Sequence, residues 1–252
     1  MMAFTIAGRE LRSLFISPLA WSILAVVQLI LGYMFLIQLE GYMAVQARLL
    51  GVEGAPGVTE LVVAPVLYNA SIVLLMVVPM LTMRLLSEER RAQTLSLLFS
   101  APLSMSEIVL GKFLGVMGFL LIMVLMIALM PLSLLAGGSL DLGMLLAGVL
   151  GLVLLLASFA ALGLFMSTLT EQPTIAAVST FAVLLLLWII NAASNADLGQ
   201  TSELFAYLSL LQHFESLLKG VFDSADVIYY LLFVMLFLGL SIRRLDADRL
   251  QH

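Results

Sequence analysis

Long uncharged apolar runs alternate with short polar segments along the chain, and they predict six membrane-spanning helices. A helix needs about 20 apolar residues to cross about 30 Å of hydrocarbon. Five runs are long enough, and a sixth, 227–242, is near the lower limit and is expected to recruit 224–226. The predicted spans are residues 18–39, 61–84, 107–136, 142–168, 173–195 and 224–242. The first run exceeds the apolar core of a signal peptide, about 7 to 15 residues, and is interpreted as a retained anchor.

The residues before the first span carry a helical pattern of their own. Polar positions Thr5, Arg9 and Arg12 lie on other faces than the apolar ones. The apolar positions recur at helical spacing at Phe4, Ala7, Leu11 and Phe15. This pattern predicts an amphipathic helix over residues 3–15 on the inner membrane surface, with an ordinary charged flank to the first span as the alternative.

The segment between the fifth and sixth spans, 204–226, is apolar but interrupted by charges. A crossing would place them in hydrocarbon at about 2.5 to 3.5 kcal/mol for a central Lys or Asp, so we expect short helices on the outer surface. The face expected to be buried consists of Leu208, Leu211, Phe214 and Leu218. Glu215 and Lys219 should face water as an i, i+4 pair, and Gly220 should end the helix. Asp223 and Asp226 should begin the last span.

Charges are few and unevenly distributed. The chain is 63% hydrophobic and 11% charged, with a mean hydropathy of +1.17. Six spans place nine of the 11 basic residues on one side, which is the cytoplasmic side by the positive-inside rule. Both termini are then cytoplasmic, and an odd number of spans would spoil the distribution.

The segment from Arg84 to Lys112 holds seven of the 27 charged residues. No helix breaker occurs in 85–101, so the second span is expected to continue as helix until Pro102. Ser104 then begins an S-x-x-E capping box with Glu107, which starts the next helix. The pattern predicts a charged elbow at the cytoplasmic surface, with a merely solvated loop as the alternative.

Several functions are excluded by missing residues. The chain has no cysteine, which excludes disulfides and thiol chemistry, and two histidines, His213 and His252, do not make a metal site. His213 is interpreted as an interfacial hydrogen-bonding residue. No G-x-x-x-x-G-K-[ST] loop is present, so ATP must be bound by another chain. The five clear spans contain no charged residue, which argues against a proton-coupled carrier.

Membrane enzymes are equally disfavoured. A G-x-S-x-G elbow is absent. Glu88 and Glu89 resemble the start of the E-E-x-x-x-R motif of CAAX-type membrane proteases, but Gln93 stands where that motif needs arginine. We therefore expect a single membrane domain, 1–252, with no catalytic residue, no bound cofactor or metal, and no nucleic-acid partner.

Four stretches resemble permease subunits of the ABC-2 type, nearest to the gliding-motility-associated and copper-maturation groups. They are RELRSLFISPLAW near the start, PMLTMRLLSEERRAQTLSLLFSAPLSMSEIVLGKF over 79–113, GLFMSTLTEQPTIAA near the end of the fourth span, and LSLLQHFESLLKGVFDSADVIYY before the last span. The most specific is the EER-x-x-x-T-L-x-x-L-x-x-x-P element from Glu88 to Pro102.

The resemblance implies an all-α integral membrane protein of six spans, with an N-terminal interfacial helix, a coupling elbow after the second span and outer re-entrant helices before the sixth. It implies a dimer, with a second copy or a homologous permease, on two cytoplasmic ATPase subunits that bind ATP and Mg. The residues implied to contact the ATPases are Arg9, Arg12, Arg84, Glu88, Glu89, Arg90, Arg91, Thr94 and Pro102. We further hypothesise that the outer helices act as a gate that must move for cargo to leave, formed by Leu208, Leu211, His213, Phe214, Glu215, Leu218 and Gly220, with an amphipathic surface segment without such a role as the alternative.

The function implied is export across a bacterial inner membrane, in contact with lipid and in some systems with an envelope protein. The alternative is a non-ABC channel or a membrane scaffold. The sequence leaves the cargo open, because it contains no ladder of sugar-binding aromatic residues and no large outer domain.

Overall fold

A computed structural model describes residues 2–49, 56–94, 104–136, 140–194 and 209–249. The helices in this part of the chain are α1 (Met2–Ile16), α2 (Pro18–Leu49), α3 (Ala64–Thr82), α4 (Ser87–Arg91), α5 (Met105–Leu132), α6 (Leu142–Leu169), α7 (Pro173–Ser194), α8 (Leu210–Leu218) and α9 (Ser224–Arg249). A π-helical turn, Thr59–Val63, leads into α3, and a 3₁₀ turn, Ser133–Ala136, follows α5. These ranges contain no strand.

Six helical segments are long and apolar enough to cross a membrane, which confirms the predicted all-α fold of six spans. They include α2, α3, α5, α6, α7 and α9. The last one begins at Ser224, as expected. Two helices extend past their predicted spans, since α2 continues across Glu40 to Leu49 and α9 continues to Arg249.

Helix α6 lies at the centre of the bundle. It contacts α3, α5, α7, α8 and α9. Of its most apolar 18 residues 67% are buried, against 17% for the span in α7, which is therefore peripheral. At Gly163 the helix approaches α3 so closely that an added Cβ would lie 2.2 Å from Thr82 Oγ1. Because Gly163 has no side chain, α3 can cross α6 at this short distance.

Helix α1 is separate from the first span and lies along α5. Pro18 occupies the first position of α2, where its missing N–H needs no partner, and the chain bends at Ser17. The contact with α5 runs over glycines: a Cβ at Gly111 would lie 2.6 Å from Ile6 Cβ, and one at Gly115 would lie 2.6 Å from Glu10 Cβ. The other side of α1 faces away from the bundle, since Phe4 is 75% exposed.

The predicted continuous helix from the second span to Pro102 is wrong. Helix α3 ends at Thr82, residues 83–86 form turns, and α4 ends at Arg91 before Gln93, whose φ is +55°. Residues 95–103, including Pro102, lie outside the described residues.

A serine on another helix explains this break. The Ser167 hydroxyl of α6 accepts the backbone N–H groups of Leu86 and Ser87, each at 3.0 Å, and donates to the carbonyl of Met83 at 3.2 Å. These bonds replace those of a continuing helix, so a turn forms without glycine or proline.

Helix α5 begins as the sequence predicts. The Ser104 hydroxyl accepts the N–H of Glu107 at 3.2 Å, and the Glu107 carboxylate accepts the N–H of Ser104 at 3.2 Å. This capping box fixes where the chain leaves the elbow and enters the third span.

Candidate functional site

The first candidate site is a network of ion pairs around α4 at the end of the bundle that carries Arg84, Arg90 and Lys112, called here the basic end. Lys112 Nζ lies 2.7 Å from Glu89 Oε1 of α4 and 2.9 Å from Glu10 Oε1 of α1. The Lys112 side chain is only 3% exposed. A buried ammonium is tolerated where carboxylates satisfy its donors, so Lys112 joins α1, α4 and α5.

The neighbouring residue of α4 points to another helix. Arg90 forms an ion pair with Asp248 near the end of α9, and Asp248 also lies 3.7 Å from Arg244. Arg90 and Asp248 are mostly buried, with side chains 14% and 11% exposed. Because Glu89 and Arg90 bind partners on different helices, α4 is held between α1 and α5 on one side and α9 on the other.

The predicted ATPase-contact residues therefore divide into two groups. Glu89 and Arg90 are engaged within the chain. The exposed members are Arg9, Arg12, Arg84, Glu88, Arg91 and Thr94. Pro102 lies outside the described residues. Among the described residues of the elbow, the exposed surface thus includes Arg84, Glu88, Arg91 and the turn that follows.

A cavity of about 560 Å³ lies between α1, the start of α2, the end of α3, and α4. Its charged lining consists of Arg9, Glu10, Arg84, Glu88, Glu89 and Lys112, and its apolar lining of Leu14, Leu19, Ala20, Met80, Leu81 and Leu85. Polar groups and apolar side chains thus face one space where the first two spans meet the basic end.

The second candidate site lies at the opposite end of the bundle, where α8 meets α9. His213 Nδ1 lies 2.6 Å from Asp226 Oδ1, and both side chains are about nine-tenths buried. The His213 ring stacks on Tyr229 at 4.3 Å between centroids. The Tyr230 hydroxyl donates to the carbonyl of Leu210 at 2.6 Å. The hydrogen-bonding interpretation of His213 is confirmed, and its partners fasten α8 to the last span.

The apolar face of α8 is buried as predicted at Leu211, Phe214 and Leu218, while Leu208 lies outside the described residues. It lies against the protein itself, because Cβ atoms at Gly148 and Gly151 of α6 would contact α8 side chains at 3.4 and 3.0 Å.

The ends of α8 are set by local hydrogen bonds. Gly220 ends α8 with φ +75°, and the next N–H returns to Ser216 O at 3.2 Å, which confirms the predicted stop. The predicted pair of Glu215 with Lys219 is not among the ion pairs of the described residues; Lys219 is exposed and Glu215 only partly so.

The described residues contain no group of three or more potential ligands that could hold a metal ion. Asp223 begins α9 by accepting the N–H of Ala225 at 2.9 Å, whereas Asp226 is engaged by His213. The site where α8 meets α9 therefore combines hydrogen bonds and packing.

Sequence reasoning missed three members of the ion-pair network, Glu10, Lys112 and Asp248, and also Ser167, which holds the turn before α4. The partners of Lys112 come from positions 102 and 23 residues away, which no local pattern connects. A usable signal existed at Lys112, since it lies between Gly111 and Phe113 at the border of an apolar run, where a lysine needs acidic partners.

Together, the six apolar helices and the charged elbow are those of a multi-pass helical membrane protein. The profile of the family described as ABC-2 family transporter protein matches residues 4–250. The chain belongs to this family, whose members are permease subunits rather than catalytic chains and generally act with a cytoplasmic ABC ATPase. A comparison with curated proteins found no match. Family membership favours the permease over the channel or scaffold alternative.

Proposed function

We propose that this chain is the permease of an ATP-driven exporter of a bacterial inner membrane, with both termini and the basic end in the cytoplasm. The distribution of basic residues supports this orientation. In the proposed assembly two permease chains, identical or homologous, stand on two ATPase subunits, which bind ATP and Mg. We also propose that the chain belongs to the gliding-motility or copper-maturation group and that it acts with an accessory envelope protein.

The main support for the proposal is how α4 is attached to the rest of the bundle. Glu89 and Arg90 tie it to α5 and α9, while Glu88 and Arg91 remain on its surface and Thr94 is exposed just after it. A short helix held on both sides transmits a push to the spans it is tied to. We propose that the exposed residues, together with Arg9, Arg12 and Arg84, contact the ATPase, and that Glu89 and Arg90 pass its motion on.

Helix α9 connects the elbow with the other end of the bundle. Asp248 contacts the elbow and Asp226 contacts α8, and the two lie about 33 Å apart along one helix. We propose that α8 caps the outer mouth and moves when cargo leaves, with Leu211, His213, Phe214, Glu215, Leu218 and Gly220 as gate residues. Leu208 belongs to the same proposal.

Co-purification with the ATPase tests the proposal. Single exposed ion pairs contribute about 0 to 1 kcal/mol, so the charge-reversed double variant Glu88→Lys/Arg91→Glu is needed. Repulsion at a contact costs several kcal/mol, and we expect at least an approximately tenfold loss of co-purified ATPase.

The matched control reverses two charges on the exposed end of α9, Asp246→Lys/Arg249→Glu, which should leave assembly intact. Unchanged ATPase binding and transport in the Glu88/Arg91 variant would show that the elbow is only a surface loop.

A further inference from the structure

The cavity at the basic end contains charges that its own ion pairs leave unsatisfied. Lys112 is neutralised by Glu10 and Glu89. Arg84 and Glu88 make no ion pair with any described residue, and Arg9 reaches only Glu10, at 3.9 Å. Two guanidinium groups and a carboxylate thus line the cavity with capacity to bind a ligand.

One lining residue has a carboxylate oxygen without a hydrogen-bond donor. Glu89 Oε1 accepts from Lys112, but Glu89 Oε2 is buried and accepts no hydrogen bond from a described residue. Buried carboxylate oxygens are nearly always satisfied, by protein, water or a ligand. A cationic donor on the exposed carboxylate of Glu88, next to Glu89, would complete the site.

A ligand that binds both the guanidinium groups and the carboxylates of the cavity must carry both charges, as a zwitterion does. Guanidinium groups bind phosphate through paired hydrogen bonds, and a primary ammonium supplies three donors for carboxylates. The lining contains three cations and three carboxylates, so its formal charge is zero, which suits a neutral headgroup better than an anionic one.

The apolar side of the cavity indicates that the ligand is a lipid. Leu19 and Ala20 belong to the first turn of α2, and Met80 and Leu81 to the last turns of α3. These turns are where two spans enter hydrocarbon, so the cavity lies at the depth of phospholipid headgroups. A charged side chain of a partner protein would use only the charged lining, whereas a lipid also uses the apolar lining.

We propose that this cavity binds the phosphoethanolamine headgroup of a phospholipid, with the phosphate on Arg9 and Arg84 and the ammonium on Glu88 and Glu89. The site shares Arg9, Arg84 and Glu88 with the proposed ATPase contact, but it is formed by the permease chain alone, so lipid binding can be measured without the ATPase. It would anchor α1 and α4 to the leaflet at the basic end, which is the inner leaflet in the orientation given under Proposed function.

Lipid retention by the purified chain tests the proposal. The protein in detergent is exchanged into mixed micelles containing phosphatidylethanolamine, phosphatidylcholine or phosphatidylglycerol, and bound phospholipid is counted by native mass spectrometry. We expect retention of phosphatidylethanolamine about tenfold above phosphatidylcholine, whose trimethylammonium lacks N–H donors. Equal retention of all three lipids would overturn the proposal, and this comparison needs no variant.

Two double variants locate the site. Arg9→Gln/Arg84→Gln should lower phosphatidylethanolamine retention about tenfold, whereas Arg12→Gln/Arg91→Gln removes two exposed cations outside the cavity and should leave it unchanged. Equal effects of the two would overturn the proposal.

Two further outcomes would also overturn it. Loss of ATPase co-purification with unaltered lipid retention in Arg9→Gln/Arg84→Gln would assign the cavity to a protein partner. Displacement of the lipid by equimolar soluble phosphoethanolamine would assign the cavity to a free phosphate ester. In that case the apolar lining would contribute nothing to binding.

Discussion

Lys112 Nζ lies 2.7 Å from Glu89 Oε1, in a place where only 3% of the lysine side chain is exposed. The contact joins the first turns of the third span to the elbow, and Glu10 extends it to α1 at 2.9 Å. Three segments that are distant in sequence thus depend on one ammonium group.

Replacing Lys112 with methionine should destabilise the protein strongly. The substitution leaves the Glu89 carboxylate unpaired and leaves Glu10 with Arg9 alone, at 3.9 Å. Removing one partner of a buried ion pair costs about 3 to 5 kcal/mol. The triple variant Lys112→Met/Glu10→Gln/Glu89→Gln removes the charges together and should recover most of this loss. Thermal unfolding in detergent measures both. Equal midpoints for the wild type and the single variant would show that the contact is not structural.

The packing of α1 predicts a sharp difference between two glycines of α5. A Cβ at Gly115 would lie 2.6 Å from Glu10 Cβ and 3.1 Å from Ala7 O, so Gly115→Ala must push α1 away. A Cβ at Gly118 would meet the tip of Leu11 at 3.4 Å, which a flexible side chain accommodates.

We expect Gly115→Ala to cost about 1 to 3 kcal/mol by overpacking and Gly118→Ala less than about 0.5 kcal/mol. Thermal unfolding distinguishes them. A larger loss for Gly118→Ala would contradict this arrangement of α1.

Features set by short-range patterns were predictable from the sequence, while those set by distant contacts were not. The six spans follow from run length, the start of α5 from Ser104 and Glu107, and the end of α8 from Gly220. The turn after Thr82 depends on the Ser167 hydroxyl, which lies 80 and 81 residues away along the chain from the groups it accepts. The prediction of uninterrupted helix failed there because a side chain of α6 satisfies the backbone.

The same distinction applies to the candidate sites. The exposed charges Glu88 and Arg91 were recognisable from the motif, whereas their neighbours Glu89 and Arg90 have partners on other helices. Within the sequence EERR, charge and spacing do not show which residues face solvent and which form ion pairs with other helices. Only the packing of α1, α5 and α9 around the elbow does so.

The orientation can be tested directly because the chain has no cysteine. Ala92 follows α4 at the basic end and Lys219 ends α8 at the other end, and both are exposed. With the basic end in the cytoplasm, an impermeant thiol reagent should label Lys219→Cys but not Ala92→Cys in intact cells. Permeabilised cells provide the control, in which both should react. The reverse pattern in intact cells would invert the topology.

The proposed movement of α8 can be blocked with a single disulfide. A Cβ at Gly220 would lie 3.5 Å from Met144 Cβ of α6, at the short end of the range that a disulfide spans. The cysteine at position 220 adopts φ +75°, which costs about 1 to 2 kcal/mol and leaves the fold intact. The absence of other cysteines makes the bridge unambiguous.

Oxidation of Met144→Cys/Gly220→Cys should stop transport while the permease remains bound to its ATPase, and reduction should restore transport. Each single cysteine variant is the control, since it carries the same strain or the same loss of side chain but cannot close a bridge. ATP hydrolysis measured on the same oxidised complex shows whether the ATPase is still active. If the oxidised double variant transports as fast as the reduced one, α8 is a fixed part of the packing around α6, and the hydrogen bond between His213 and Asp226 serves stability alone.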